Sequence, residues 1–245
     1  MVKKAVAPKA VAKKASTAVV KQAPQRMGRG MEEANADDFA IPFLRILQPL
    51  SPQVESVKGA KAGMIINTVT NELLTEVVVT PAFYQRRFIR WAPRSAGGGF
   101  KGQFVKSQVD EMISDGTVVQ EDNRLYYPMP DGTVNEKKCD LCSDTRSYFV
   151  VDEEGQSALI SMASSGIKTS KQWASKIQMR GGDIWGSQYR LTTERRENDD
   201  GFWFGWVVEL VGDAPAETQE LAEALWNSVA SGEIKARMDL MHNDD

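Results

Sequence analysis

The 245-residue chain has one histidine, His242, and two cysteines, Cys139 and Cys142. A Ser-His-Asp or Cys-His centre would need His242 to fold back from the tail into a core, so hydrolytic chemistry of that kind is not expected. Two cysteines cannot close a four-ligand structural zinc site by themselves. A redox Cys-x-x-Cys opens a helix, whereas Cys-Asp-Leu-Cys leads into the strand-like run Tyr148-Phe149-Val150-Val151. The pair is expected to be a reduced pair on a turn. No apolar run reaches the roughly eighteen residues of a membrane-spanning helix. The basic N-terminus has no continuous apolar segment of the secretory kind, so the expected location is cytoplasmic. No G-x-x-x-x-G-K-[ST] is present. Gly97-Gly98-Gly99-Phe100-Lys101-Gly102 matches G-x-G-x-x-G, but Pro93 and Arg94 interrupt the strand that a dinucleotide site requires before it. Asp110-Glu111, Asp115 and Glu121-Asp122 are scattered and read as solvated loops. No catalytic residue, metal or cofactor is expected, and the chain reads as a non-enzyme.

What is present is a globular composition, 42% hydrophobic and 26% charged, which excludes a fully disordered or collagen-like chain. The formal charge of −3 is a sum of unlike parts. Residues 1–30 hold six Lys and two Arg with no acid, a local +8, and residues 213–245 hold eight acids against two bases, a local −6. Between them the chain carries −5. The Lys/Ala/Val/Pro tract 1–35 has little surface to bury and is expected to be a disordered basic arm.

Order is expected from about residue 36. Met64–Val69 and Leu73–Val79 flank a polar turn at Thr70-Asn71-Glu72 and predict a hairpin. Phe88–Trp91 continues the strand pattern. Further strands are expected at 125–127, 147–151, 157–162, 187–193 and 202–211, with Asn198-Asp199-Asp200-Gly201 as a hairpin loop. Helices are expected at 104–113 and 170–178. The clearest runs from 215 to 231, with Pro215 in its first turn and Leu221, Leu225 and Val229 as an apolar stripe. The fold class is therefore mainly β with a few helices, a β-rich α+β chain built on an OB-like small barrel with a C-terminal helix. The domains read as the arm 1–35, a β-rich nucleic-acid-binding domain 36–212, and a C-terminal helix with an acidic tail 213–245.

Two stretches concentrate basic and aromatic residues. Residues 81–106 hold six bases, six aromatics and no acid; residues 161–190 hold five bases and one acid. Together they contain 11 of the 22 bases after position 30. Single-stranded nucleic acid is bound by such a mixture, with cations on phosphates and rings on bases. The candidate contacts are Arg86, Arg87, Phe88, Arg90, Trp91, Arg94 and Lys101 in the first stretch, and Lys168, Lys171 and Trp173 in the second. The plain structural alternative is that Phe88, Trp91 and Trp173 are core and the cations a solvated face. On a strand Phe88 and Arg90 share one face, with Arg87, Ile89 and Trp91 on the other, so neither face is purely apolar or purely charged.

The pattern Asp38-Phe39-x-Ile41-Pro42-x-Leu44-x-Ile46-Leu47-Gln48-x-x-Ser51-Pro52 resembles the opening of a family of tailed-phage replication-region proteins. Gly63-x-x-x-Asn67-x-x-Thr70, Ile89-x-Trp91 and Lys168-x-Ser170-Lys171-x-Trp173 fit the same pattern, so the likeness spans about 38–210. The resemblance implies a phage single-stranded-DNA-binding protein with an OB-like barrel, acting in replication or recombination in the cytoplasm of the infected bacterium. It also implies replication partners at the acidic C-terminus, although this tail is short and lacks a terminal aromatic. Homo-oligomerisation is compatible with that role. Two other readings stand beside it: a virion or scaffold-type structural protein whose basic arm touches nucleic acid, and a replication accessory module that docks proteins.

Overall fold

The computed structural model describes residues 41–199 and 201–236. The basic arm, the acidic end of the tail with His242, and Asp38 and Phe39 lie outside the described residues. Two antiparallel sheets and four helices make up the rest. The first sheet joins β1 (Leu44–Ile46), β2 (Ile65–Asn67) and β3 (Leu73–Leu74), with the single-turn helix α1 (Gln53–Ser56) between β1 and β2. The predicted hairpin is β2–β3, turned by Asn67, whose Oδ1 accepts the backbone N–H of Val69 (3.0 Å) and Thr70 (3.2 Å). The second arm of that hairpin does not run on to Val79 as expected. The chain leaves the small sheet at Thr75-Glu76 and enters the large one.

The large sheet is a curled half-barrel of eight antiparallel strands. Its centre is β4 (Val77–Trp91), paired with β8 (Asp140–Asp152) from Val79↔Asp152 to Trp91↔Leu141. The path runs β11 (Gly201–Asp213), β10 (Ser187–Asn198), β4, β8, β7 (Arg124–Tyr127), β6 (Val119–Glu121). Two more strands attach alongside, β5 (Phe100–Phe104) on β4 and β9 (Ser157–Ala163) on β8. A parallel bridge from Phe43 to Leu159 fastens the small sheet to β9. The fold class read from the sequence, mainly β with a few helices and a C-terminal helix, is the one observed.

Three helices cover the sheet, each through an apolar stripe. α2 (Lys106–Ser114) lays Val109 and Met112 on Phe88 and Cys142. α3 (Gly166–Arg180) sets Trp173 and Ile177 among Tyr148, Tyr189, Leu191, Trp206 and Val208. α4 (Ala216–Ala230) begins just after Pro215 and packs Ala222 and Leu225 on Ala82, Ile89 and Phe149. The sheet thus has helices on both faces, and β4 and β8 are buried through most of their length.

The end strand β11 has one free edge, which side chains close. The Gln48 amide donates to the Phe204 carbonyl (3.0 Å) and its Oε1 accepts the Phe204 N–H (2.9 Å). Arg196 Nη2 donates to the Trp206 carbonyl (3.0 Å), and Lys176 Nζ donates to the Val208 carbonyl. Two glycines permit these approaches. A Cβ on Gly63, at φ +90°, would lie 2.6 Å from the Phe204 ring, and one on Gly205 would lie 2.6 Å from Arg196 Cζ. Exposed β-edges invite pairing between chains, and capped ones do not.

Replacing Gln48 with Ala removes two hydrogen bonds from that edge. The expected loss is about 1–2 kcal/mol, read as a lower urea midpoint, with greater self-association by light scattering. An unchanged midpoint and a monomeric variant would show the cap to be idle. A second outcome concerns alkaline pH. Burial pushes the Tyr148 phenol up to about 12, against 10.0 unperturbed. The folded state therefore holds the proton more tightly, and stability is lost as pH rises from the lower value through the higher one. Urea midpoints are expected to fall across that range, less steeply in Tyr148→Phe.

Candidate nucleic-acid interface

The structure divides the first basic stretch into ion-paired, buried and exposed groups. On one face of β4 the order is Tyr84, Arg86, Phe88, Arg90. Phe88 is 4% exposed, packed beneath α2, and cannot stack on a base. Arg86 makes a two-point pair with Asp144 of β8 (Nε–Oδ1 2.8 Å, Nη2–Oδ2 2.7 Å) and lies over the Phe88 ring at 4.9 Å. The bond to Asp144 raises the Arg86 pKa further. Arg90 Nε donates to Asp140 (2.5 Å), and its guanidinium sits 3.8 Å above the Tyr127 ring. The Arg90 charge is thus answered within the sheet, as that of Arg86 is. On the other face, Ile89 and Trp91 belong to the core beneath α4, with Trp91 edge-on to Phe100 at 6.0 Å. Arg87 is half-buried, its Nη1 donating to the Arg86 carbonyl (3.0 Å). Arg94 and Lys101 stand exposed where β4 turns into β5 through Gly97–Gly99. That turn joins antiparallel neighbours, so the G-x-G-x-x-G match is not a dinucleotide loop. Ser95 Oγ donates to the Lys137 carbonyl, tying this tip to the segment carrying exposed Lys137 and Lys138.

The second stretch corrects another stacking candidate. Trp173 is 0% exposed, stacked on Tyr148 at 4.0 Å and edge-on to Tyr189 at 5.7 Å. It pins α3 to the sheet and offers no face to a base. Lys168 and Lys171 are exposed on the same helix. At helical spacing Lys168, Gln172 and Lys176 form one flank. That flank borders a cleft of about 200 Å³ between α3 and β11, lined by Gln172, Trp173, Lys176, Glu194, Arg196 and Val207, among others. The buried Trp173 Nε1 has no hydrogen-bond partner there. Arg196 also pairs with Glu194 (2.9 Å). On the β10–β11 hairpin Arg195 lies 4.4 Å from the centre of the exposed Phe202 ring.

Sequence reasoning missed Arg195, Arg196 and Phe202, because no local density of bases marks β10–β11; Lys176 was counted in the second basic stretch but not among the contacts. It also missed Arg146 of β8, which lies 3.5 Å from Asp144 and is nearly buried. Its one signal was strand position: Arg146 stands opposite Arg86 in the register.

The cysteines are packing groups. Both are buried, and burial pushes the Cys142 thiol up to about 11. Cys139 Sγ accepts the Asn135 N–H (3.3 Å), closing the turn before β8. Among the described residues no three His, Cys, Asp or Glu side chains gather as metal ligands, and no helix is long and apolar enough to cross a membrane.

Two outcomes follow from this geometry. At pH 8 the folded protein is expected to resist iodoacetamide and to be alkylated at both thiols in urea, by mass spectrometry; fast native labelling would contradict the buried positions. Trp173→Ala is expected to cost about 3–5 kcal/mol in urea unfolding, as a core deletion does. A loss under 1 kcal/mol (roughly, a surface change) would return Trp173 to the surface.

No curated protein and no solved structure matches the chain. The model of the Pam3 phage gp34-like protein family matches residues 11–235, nearly the whole sequence, and the chain belongs to that phage protein family.

Proposed function

We propose that this phage protein binds single-stranded DNA and does no chemistry on it, coating the strand during replication or recombination in the infected cell. One observation carries the reading. α3 holds Lys168, Lys171, Lys176 and Arg180 with no acid in fifteen residues, within a stretch of chain that is otherwise net acidic. Lys176 and Arg180 are tied to β11, at the Val208 carbonyl and at Asp213. Lys168 and Lys171 face solvent.

A polyanion is attracted to such a helix, and the curled sheet gives it a rigid support. Exposed Phe202 on the β10–β11 hairpin, with Arg195 against its ring, supplies a stacking surface. Arg94 and Lys101, with Lys137 and Lys138, add a second cationic patch at the β4–β5 tip. Binding through phosphates and ring faces gives little sequence preference and strong salt dependence. Glu217, Glu220 and Glu223 of α4 face solvent and would meet replication partners.

The test is fluorescence anisotropy with an oligothymidylate and its duplex at two salt concentrations, on the full chain and on a chain lacking residues 1–35. Lys168→Gln with Lys171→Gln should weaken single-strand binding several-fold and reduce the slope of log K against log salt by about 1.4, the share of two phosphate contacts. Thermal stability should not change. No binding by either chain at low salt would overturn the reading. Wild-type affinity in the double variant would remove α3 from it, and binding lost wholly with residues 1–35 would assign it to the arm.

A further inference from the structure

We propose that Arg86 and Arg146 form a clamp for a single phosphate group on the face of the β4–β8 pair that carries Tyr84. The two residues are directly opposite in the antiparallel register. Like charges in that position repel. One carboxylate, Asp144, serves both. It is fully engaged by Arg86, through two bonds of 2.8 and 2.7 Å, and reaches Arg146 only at 3.5 Å.

Arg146 is 9% exposed, and its Nε has no hydrogen-bond partner. A buried guanidinium with donors unmet is costly to a fold. Arg90, on the same face, has a closer answer in Asp140 at 2.5 Å and the Tyr127 ring. The pair Arg86–Arg146 therefore carries two positive charges against one negative, in a sheet that holds them side by side. An oxyanion with several acceptor oxygens at the exposed edge of the pair relieves the repulsion, and guanidinium forks fit phosphate oxygens two at a time.

The neighbouring side chain suits a nucleotide. Tyr84, two residues before Arg86 on the same face, is 36% exposed, with its ring 5.1 Å from that of Tyr148. A base can lie on the outer side of Tyr84 while its phosphate lies on the arginines. The clamp itself rests on the geometry of the arginines; its occupant as a phosphodiester rests on the single-stranded-DNA reading above.

The experiment compares wild type, Arg146→Met and Arg146→Lys in the full chain, with two probes. Inorganic phosphate is titrated against chloride at equal ionic strength, with the unfolding midpoint and the arginine Nε–H NMR signals as readouts. Oligothymidylate affinity is measured in parallel. Wild type is expected to gain midpoint with phosphate and to shift the Arg86 and Arg146 signals. Arg146→Met, which removes a poorly paired buried charge, should match or exceed wild-type stability in chloride, lose the phosphate response, and bind the oligonucleotide about tenfold more weakly. Arg146→Lys keeps the charge without the fork and should fall between; if the Met variant does not fold, this comparison decides. A phosphate response and oligonucleotide affinity unchanged in the variants would overturn the clamp and leave the DNA reading standing. A phosphate response that depends on Arg146, with no oligonucleotide binding by wild type, would do the reverse.

Discussion

The long antiparallel pairing of β4 with β8 governs this molecule. Nearly every other element is attached to one of the two strands, and helices lie on both of their faces. Such a pair can hold charge only where the partner strand supplies the counter-charge or where a side chain reaches the rim. Asp140 and Asp144 answer Arg90 and Arg86, and the rings of Tyr127 and Phe88 lie under the same guanidiniums. The arginines of β4 are thus part of the sheet's internal electrostatics before they can be part of any binding surface. Arg146 is the surplus charge in that arrangement.

Helix α3 depends on the same pair. Its anchor, Trp173, stacks on Tyr148 of β8, and the Tyr148 hydroxyl donates to the Ser170 carbonyl (2.9 Å). With one flank held this way, Lys168 and Lys171 remain on the outside while Lys176 is drawn to β11. A basic helix is made a surface feature by an aromatic contact on its opposite side. The cationic surface is therefore distributed over α3 and the β4–β5 tip, and the middle of β4 contributes a smaller and more enclosed part of it.

The regular elements were legible because they obey local rules. Asn198 and Gly201, the ends of the expected loop, do pair across β10 and β11, and the Leu221, Leu225, Val229 stripe after Pro215 did become α4. The face assignment on β4 was also legible, since alternation alone places Phe88 with Arg90 and Ile89 with Trp91. The fate of those residues was not. Asp144 is 58 positions from Arg86, and nothing local marks it as a partner. Burial of Trp173 was equally hidden, because a helical tryptophan is core or surface according to what lies beneath it. The break at Thr75-Glu76 was invisible because both sides of it read as strand, and only competition between two sheets separates them.

The hairpin β10–β11 shows a different kind of dependence. Twelve residue pairs join its strands, from Ser187↔Asp213 to Asn198↔Gly201, but β10 pairs with β4 only at Tyr189, Arg190 and Leu191. Beyond Leu191 the hairpin is a cantilever, rooted beside the bulge at Gln188/Tyr189. Its outer half is braced by the small sheet, through Gln48 on Phe204 and Thr193 on the Gly63 carbonyl (2.5 Å), and by Thr169 of α3, which donates to the Trp206 carbonyl (3.4 Å) and accepts from Arg196 Nη2 (3.3 Å). Release of those few contacts would free the arm to swing from its root while the half-barrel stays folded. Amide hydrogens of its outer half would then exchange ahead of those in β4 and β8, in a local opening separate from global unfolding.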